Sequence, residues 1–142
     1  MDTLRVLIVD DEPSILQSLG GLLSDEGFAV TTAANGYEAL KIIEADSPDL
    51  VLLDIRMPGM DGIEVLEKAL DIIDTPIIMI SGHGTIETAV ESIKKGAYDY
   101  IEKPPDLNRL LITIRNVGIS AAGAFNCEWK AGADATFDGL IY

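Results

Sequence analysis

The chain has 142 residues, with 10 Lys and Arg against 24 Asp and Glu, a formal net charge of −14. That length fits one domain burying roughly two-thirds of the surface that the unfolded chain exposes, and 48% hydrophobic residues are too many for a disordered acidic tail. The charge excludes binding of this chain to a polyanionic nucleic acid or an anionic membrane surface.

Apolar runs of strand length alternate with longer stretches of helical period. Leu4–Val9 predicts a first strand. Pro13 stands where a first helical turn begins, and Ile15, Leu16, Leu19, Leu22 and Leu23 recur at helical spacing until Gly27. Phe28–Ala33 predicts strand two, and Asn35-Gly36 opens helix two with Ala39, Leu40, Ile42 and Ile43, stopped by Pro48. Leu50–Leu53 is strand three, followed by a turn-rich loop from Met57 to Gly62 and a helix with Ile63, Leu66 and Leu70. Ile77–Ile80 is strand four, and Ser81-Gly82-His83-Gly84 is a loop. Helix four carries Ile86, Ala89, Val90 and Ile93 on one face and ends near Gly96. Tyr98–Ile101 is strand five, and Pro105 opens helix five with Leu107, Leu110, Leu111 and Ile114. Five β-α units in succession imply a parallel sheet with helices on both faces, doubly wound because crossovers are right-handed.

No apolar run reaches the ~18 residues of a membrane span. The first residues lack the basic and apolar regions of a secretory signal. The single cysteine, Cys127, makes neither an internal disulfide nor a zinc site, so a cytoplasmic protein is expected. Residues 118–142 lose the period, are interrupted by Gly118, Gly123, Gly132 and Gly139, and hold the only Trp, Trp129. They are read as a linker, a docked tail or a vector-encoded extension beyond a domain of residues 1–117.

In an open parallel sheet, ligands bind beyond the C-terminal strand ends. Those positions hold Asp10, Asp11 and Glu12, then Asp54, then Ser81, then Lys103. Asp10, Asp11 and Asp54 against Lys103 leave two net negative charges, which one divalent cation cancels. Oxygen ligands alone with few protein donors suit Mg²⁺. Asp10 and Asp11 read alone serve equally as caps for helix one, whose positive dipole end favours acids. A carboxylate such as Asp54 is also a nucleophile toward phosphorus. Ser81 alone reads as a turn residue and Lys103 alone as a surface lysine. His83, the only histidine, has no local carboxylate to orient it. Tyr98 and Tyr100, read alone, are packing residues, Lys94-Lys95 reads as a solvated helix end, and Met57, Met60 and Met79 as packing.

Val6–Glu12, Asp49–Gly62, Ile80–Gly84 and Tyr98–Pro104 together resemble the signatures of the receiver domain of two-component response regulators. The resemblance covers roughly residues 3–117 and is strongest to receivers of NtrC-type transcriptional regulators. It implies a flavodoxin-like sheet of order 2-1-3-4-5. It also implies a phosphorylation switch in which Asp54 accepts a phosphoryl group from a sensor histidine kinase. Asp11, Asp54 and the Arg56 backbone carbonyl would then ligate Mg²⁺, with Asp10 acting through water. Lys103 would bind phosphoryl oxygens, and Ser81 would hydrogen-bond to them. Tyr100 would be the switch aromatic, and the Lys103–Pro104 bond would be cis. His83 and Arg56 would tune dephosphorylation. The face made by helix four, strand five and helix five would carry the signal, with a homodimer through it and control of a transcriptional output domain. Self-phosphorylation and autodephosphorylation at Asp54 would be its only reactions. Pro105, where many relatives have an aromatic, and the segment after residue 117 depart from the pattern.

Other classes make different demands. An aspartate-nucleophile phosphatase of the haloacid-dehalogenase type needs a second Asp two residues on, where this chain has Arg56. A flavodoxin cradles flavin phosphate after strand one, where Asp10-Asp11-Glu12 would repel it. A phosphorylation-independent binding module would not need the full set of acceptor, acids and lysine. The chain shows no Gly-rich ATPase loop and no basic DNA-reading helix, so no output domain of those kinds is expected within it.

Overall fold

The computed structural model describes residues 4–82, 85–103 and 106–121. Five strands, β1 (Arg5–Val9), β2 (Ala29–Ala33), β3 (Leu50–Asp54), β4 (Ile77–Ser81) and β5 (Asp99–Glu102), alternate with five helices. These are α1 (Pro13–Asp25), α2 (Gly36–Ala45), α3 (Gly62–Leu70), α4 (Ile86–Lys94) and α5 (Leu107–Ala121). The strands form one parallel sheet ordered β2-β1-β3-β4-β5, as expected for the doubly wound, flavodoxin-like fold.

Every residue of β3 and β4 is buried, because helices cover both faces of the sheet. Leu7, Val9, Val51, Leu53, Ile77 and Met79 meet Ala39 and Ile43 of α2 and Val65, Leu66 and Ala69 of α3. Their neighbours Val6, Ile8, Leu50, Leu52, Ile78 and Ile80 meet Leu19 and Leu23 of α1 and Leu110, Ile114 and Val117 of α5. Burying each of the larger side chains contributes about 2 kcal/mol. The parallel register sets Val9 beside Leu53 and Leu53 beside Met79, so same-face residues line up across the sheet.

Side chains fix where the helices start. Asn35 Oδ1 accepts from the Glu38 amide at 2.9 Å, and Glu38 Oε1 accepts in turn from the Ala34 amide at 2.7 Å. Asp61 Oδ1 caps α3 through the Glu64 amide at 2.9 Å, and Thr85 Oγ1 caps α4 through the Thr88 amide at 3.1 Å. α1 relies on Pro13 at its first turn, and Glu12 makes no side-chain cap there.

Three departures from the sequence reading bear on the site. β3 and β4 each take in one more residue, so Asp54 and Ser81 are the last residues of their strands, and Ser81 does not belong to the loop that follows. β5 is displaced by one residue, with Tyr98 outside it donating its amide to Ile77 O at 2.7 Å. The apolar stripe of α4 points to solvent: Ile86 is 84% exposed, and Val90 and Ile93 are 47% exposed. The inner side of α4 is made of Thr88, Ala89 and Ser92, and the buried Ser92 hydroxyl donates to Thr88 O at 2.9 Å. α5 runs to Ala121, through Gly118, where the sequence pattern loses its helical period. His83, the Lys103–Pro104 bond, Pro105, Cys127 and Trp129 lie outside the described residues. Among the described residues no helix is long and apolar enough to cross a membrane.

Candidate functional site

Because all strands run parallel, β1, β3, β4 and β5 end at the same edge. The chain leaves β1 toward β2 on one side and later places β3 on the other, so the switch point of the winding lies between β1 and β3. Asp10, just after β1, and Asp54, the last residue of β3, flank that point. Both are almost completely buried, at 2% and 4% exposure, while Asp11 is exposed. One carboxylate oxygen from each of Asp10, Asp11 and Asp54 lies within 4.8 Å of the others.

Lys103, just after β5, reaches across this edge. Its ammonium donates to Asp10 Oδ2 at 2.7 Å and stands 3.5 Å from Asp54 Oδ1 and 3.7 Å from Glu12 Oε1. The Lys103 amide donates to Ser81 O at 3.0 Å, which ties the lysine to the end of β4. Ser81 is fully buried beside Glu102 in the β4–β5 register. Asp10 is further oriented by the Glu12 amide, which donates to Asp10 Oδ1 at 2.9 Å. Glu12 is thus part of the site through both its amide and its carboxylate. The sequence showed it only as the third acid of a run.

The electrostatics follow from this packing. Burial pushes the Asp54 carboxyl up from 3.8 to about 6, the Asp10 charge adds to it, Lys103 opposes it, and Asp11 adds a little more. Burial alone would lower the Lys103 ammonium. The Asp10 hydrogen bond and the charges of Asp54, Asp10 and Glu12 outweigh it and raise it. Lys103 is therefore a fixed positive charge, and the pocket keeps an excess of negative charge. That excess, with three carboxylates converging and one of them open to solvent, fits a small divalent cation held by oxygen.

The remaining sequence-predicted residues fall into place around this core. The Arg56 side chain is exposed two positions beyond Asp54. Tyr100 sits opposite Met79, packs against the α2–α3 side of the core, and its buried hydroxyl finds no hydrogen-bond partner among the described residues. Tyr98 is 49% exposed, and burial of its other half, aided by Asp99, raises its hydroxyl pKa. Lys95, exposed at the end of α4 as expected, pairs with Glu67 of α3 at 2.6 Å. Met57, Met60 and Met79 are buried packing residues. Gly62 was read as a turn residue and as the end of the Asp49–Gly62 signature. It lies against the backbone of Asp54, and a Cβ there would fall 2.2 Å from Asp54 O.

Known proteins share this sequence pattern and fold. Residues 6–115 match the family described as response regulator receiver domain. The nitrogen assimilation regulatory protein NtrX of Azorhizobium caulinodans is 49% identical over 114 residues, which cover 75% of this chain and 24% of that protein. The regulatory protein AtoC of Escherichia coli K12 is 42% identical over 112 residues, covering 78% of this chain and 24% of that protein. Among solved structures, a CheY-like receiver domain protein from Methanospirillum hungatei matches with a TM-score of 0.82 at 37% identity, covering 87% of this chain and 99% of that one. NtrX from Brucella abortus matches with a TM-score of 0.79 at 40% identity, covering 85% of this chain and 28% of that one. The chain spans about a quarter of the length of these NtrC-type relatives. By its sheet order, its acidic strand-end pocket and the match over residues 6–115, the chain belongs to the response regulator receiver domain family.

Proposed function

We propose that this receiver is a phosphorylation switch whose acceptor is Asp54, charged by the phosphohistidine of a sensor histidine kinase. The observation that carries the reading is the seat of Asp54: a buried carboxylate at a strand end, between two other acids and a fixed ammonium. With a carboxyl pKa near 6 it is mainly ionised at neutral pH and available as a nucleophile. An Asp54 carboxylate oxygen attacks phosphorus and the P–N bond breaks. Its electron pair stays on the imidazole nitrogen, which takes up a proton, leaving an acyl phosphate on Asp54.

Asp11, Asp54 and the Arg56 backbone carbonyl, with Asp10 through water, would hold Mg²⁺. When bound, that ion supplies neutralisation of the acidic pocket and of phosphoryl oxygens. Lys103 stands close enough to Asp54 to bind a phosphoryl oxygen, and the Ser81 hydroxyl at the end of β4 donates to another. Phosphorylation changes the charge at Asp54 from −1 to about −2. Movement of Ser81 toward it, with Tyr100 behind, biases the two states of the α4–β5–α5 face. The outward Ile86, Val90 and Ile93 of α4, with Tyr98 just before β5 and Ile112 of α5, all substantially exposed, support a homodimer through that face. The output is transcriptional, carried by a longer cytoplasmic regulator, and the receiver is not a turnover enzyme. The test is intact mass after incubation with acetyl phosphate and Mg²⁺. One phosphoryl group is expected, labile to hydroxylamine and missing when EDTA is present; no gain in mass overturns the proposal.

A further inference from the structure

We infer that Gly62 is a positioning residue for the acidic pocket, an inference that rests on the reading of Asp54 above. A Cβ on Gly62 would lie 2.2 Å from Asp54 O, 2.7 Å from Ile55 Cα and 2.9 Å from Asp54 C. All three are backbone atoms, so no rotamer change relieves the clash. Gly62 is not among the glycines at positive φ, so its requirement is space rather than torsion. The Gly62 amide also donates to Ile55 O at 2.8 Å, which draws the first turn of α3 onto the peptide just after Asp54. The start of α3 is in turn held by the Asp61 cap. The missing side chain therefore lets a helix close on the backbone that carries Asp54, and this contact sets where the Asp54 carboxylate stands relative to Asp10, Asp11 and Lys103.

An ordinary contact would require the two backbones to part by roughly 1 Å, and a displacement of that size at a reacting group costs about 10²-fold in rate. Gly36 supplies the control. A Cβ there would meet Val65 Cγ2 at 2.6 Å and the Met60 side chain at 3.2 Å, also a clash, but one against side chains of α3 and its loop rather than backbone.

The experiment compares the full chain with Gly62→Ala and Gly36→Ala, reading Mg²⁺ affinity by calorimetry, phosphoryl incorporation from acetyl phosphate, and the urea midpoint. Both variants lower the urea midpoint. Gly62→Ala alone is expected to weaken Mg²⁺ binding about tenfold and slow phosphorylation about 10²-fold, while Gly36→Ala keeps the wild-type affinity. A wild-type affinity in Gly62→Ala, or equal weakening in both variants, overturns the inference. Wild-type protein that neither binds Mg²⁺ nor gains mass overturns the reading of the site, and this inference with it. If Gly62→Ala does not fold, Asp61→Ala takes its place: loosening the same turn without a clash should weaken Mg²⁺ binding about threefold, and an unchanged affinity is the contrary result.

Discussion

Replacing Asp54 by Asn should stabilise the metal-free protein at neutral pH. Asp54 ionises at 3.8 when unfolded and at about 6 when folded, because its burial and the neighbouring Asp10 disfavour the charge. A pKa unit corresponds to about 1.4 kcal/mol, so the ionised carboxylate costs the native state up to about 3 kcal/mol. Water entering beside the exposed Asp11 screens this to about 1–2 kcal/mol. The sign is that of an acid whose native pKa is raised: the folded state binds the proton more tightly. Its contribution is therefore favourable below pH 3.8 and is lost as pH rises through about 6. The assay is urea unfolding of wild type and Asp54→Asn in EDTA at pH 4 and pH 7.5. The variant should be more stable by about 1–2 kcal/mol at the higher pH, with the gap closing at the lower. Saturating Mg²⁺ should reverse the order, since it binds the native wild type and stabilises it by about 2–3 kcal/mol at a hundred times its dissociation constant. A variant no more stable than wild type at pH 7.5 in EDTA would refute the reasoning.

Other substitutions probe the rest of the account. Lys103→Met leaves Asp10 and Asp54 without their ammonium and should cost about 2–3 kcal/mol in EDTA. Mg²⁺ should recover part of it in the same urea titration. Tyr100→Phe removes a buried hydroxyl that has no partner among the described residues, so its urea midpoint should equal or exceed the wild-type value. A loss above about 1 kcal/mol would show that the hydroxyl is satisfied. Val90→Lys alters an exposed position and should leave stability within about 0.5 kcal/mol. The same change should abolish dimerisation of the phosphorylated chain in sedimentation equilibrium.

The sheet was legible because its central strands are apolar runs flanked by turn residues, and burial on both faces demands that composition. The site was legible for the same reason: once Leu50–Leu53 and Leu4–Val9 are strands, Asp54 and Asp10 must stand at one edge. Periodicity revealed the stripe of Ile86, Val90 and Ile93 without revealing its direction. The inner side of α4 is held by Ser92, whose hydroxyl is satisfied within its own helix, so the apolar side is free to face outward. The sequence showed Gly62 only as the end of a turn-rich signature, without the reason for it. Its requirement comes from a tertiary approach to Asp54 O, and a turn-rich run around Gly59 and Gly62 offers no signal of it. The pairing of Lys95 with Glu67 likewise depends on how α3 and α4 lie together. Gly118 read as a breaker, yet α5 continues through it to Ala121, a cost of about 1 kcal/mol relative to Ala that packing of Ile114 and Val117 outweighs.

The most direct test of the central claim is the location of the phosphoryl group. The chain is treated with acetyl phosphate and Mg²⁺, reduced with borohydride, which converts an aspartyl phosphate to homoserine, and mapped by peptide mass. Homoserine at position 54, and none in Asp54→Asn, is the predicted result. Homoserine at Asp10 or Asp11, or a label retained in Asp54→Asn, would contradict the account.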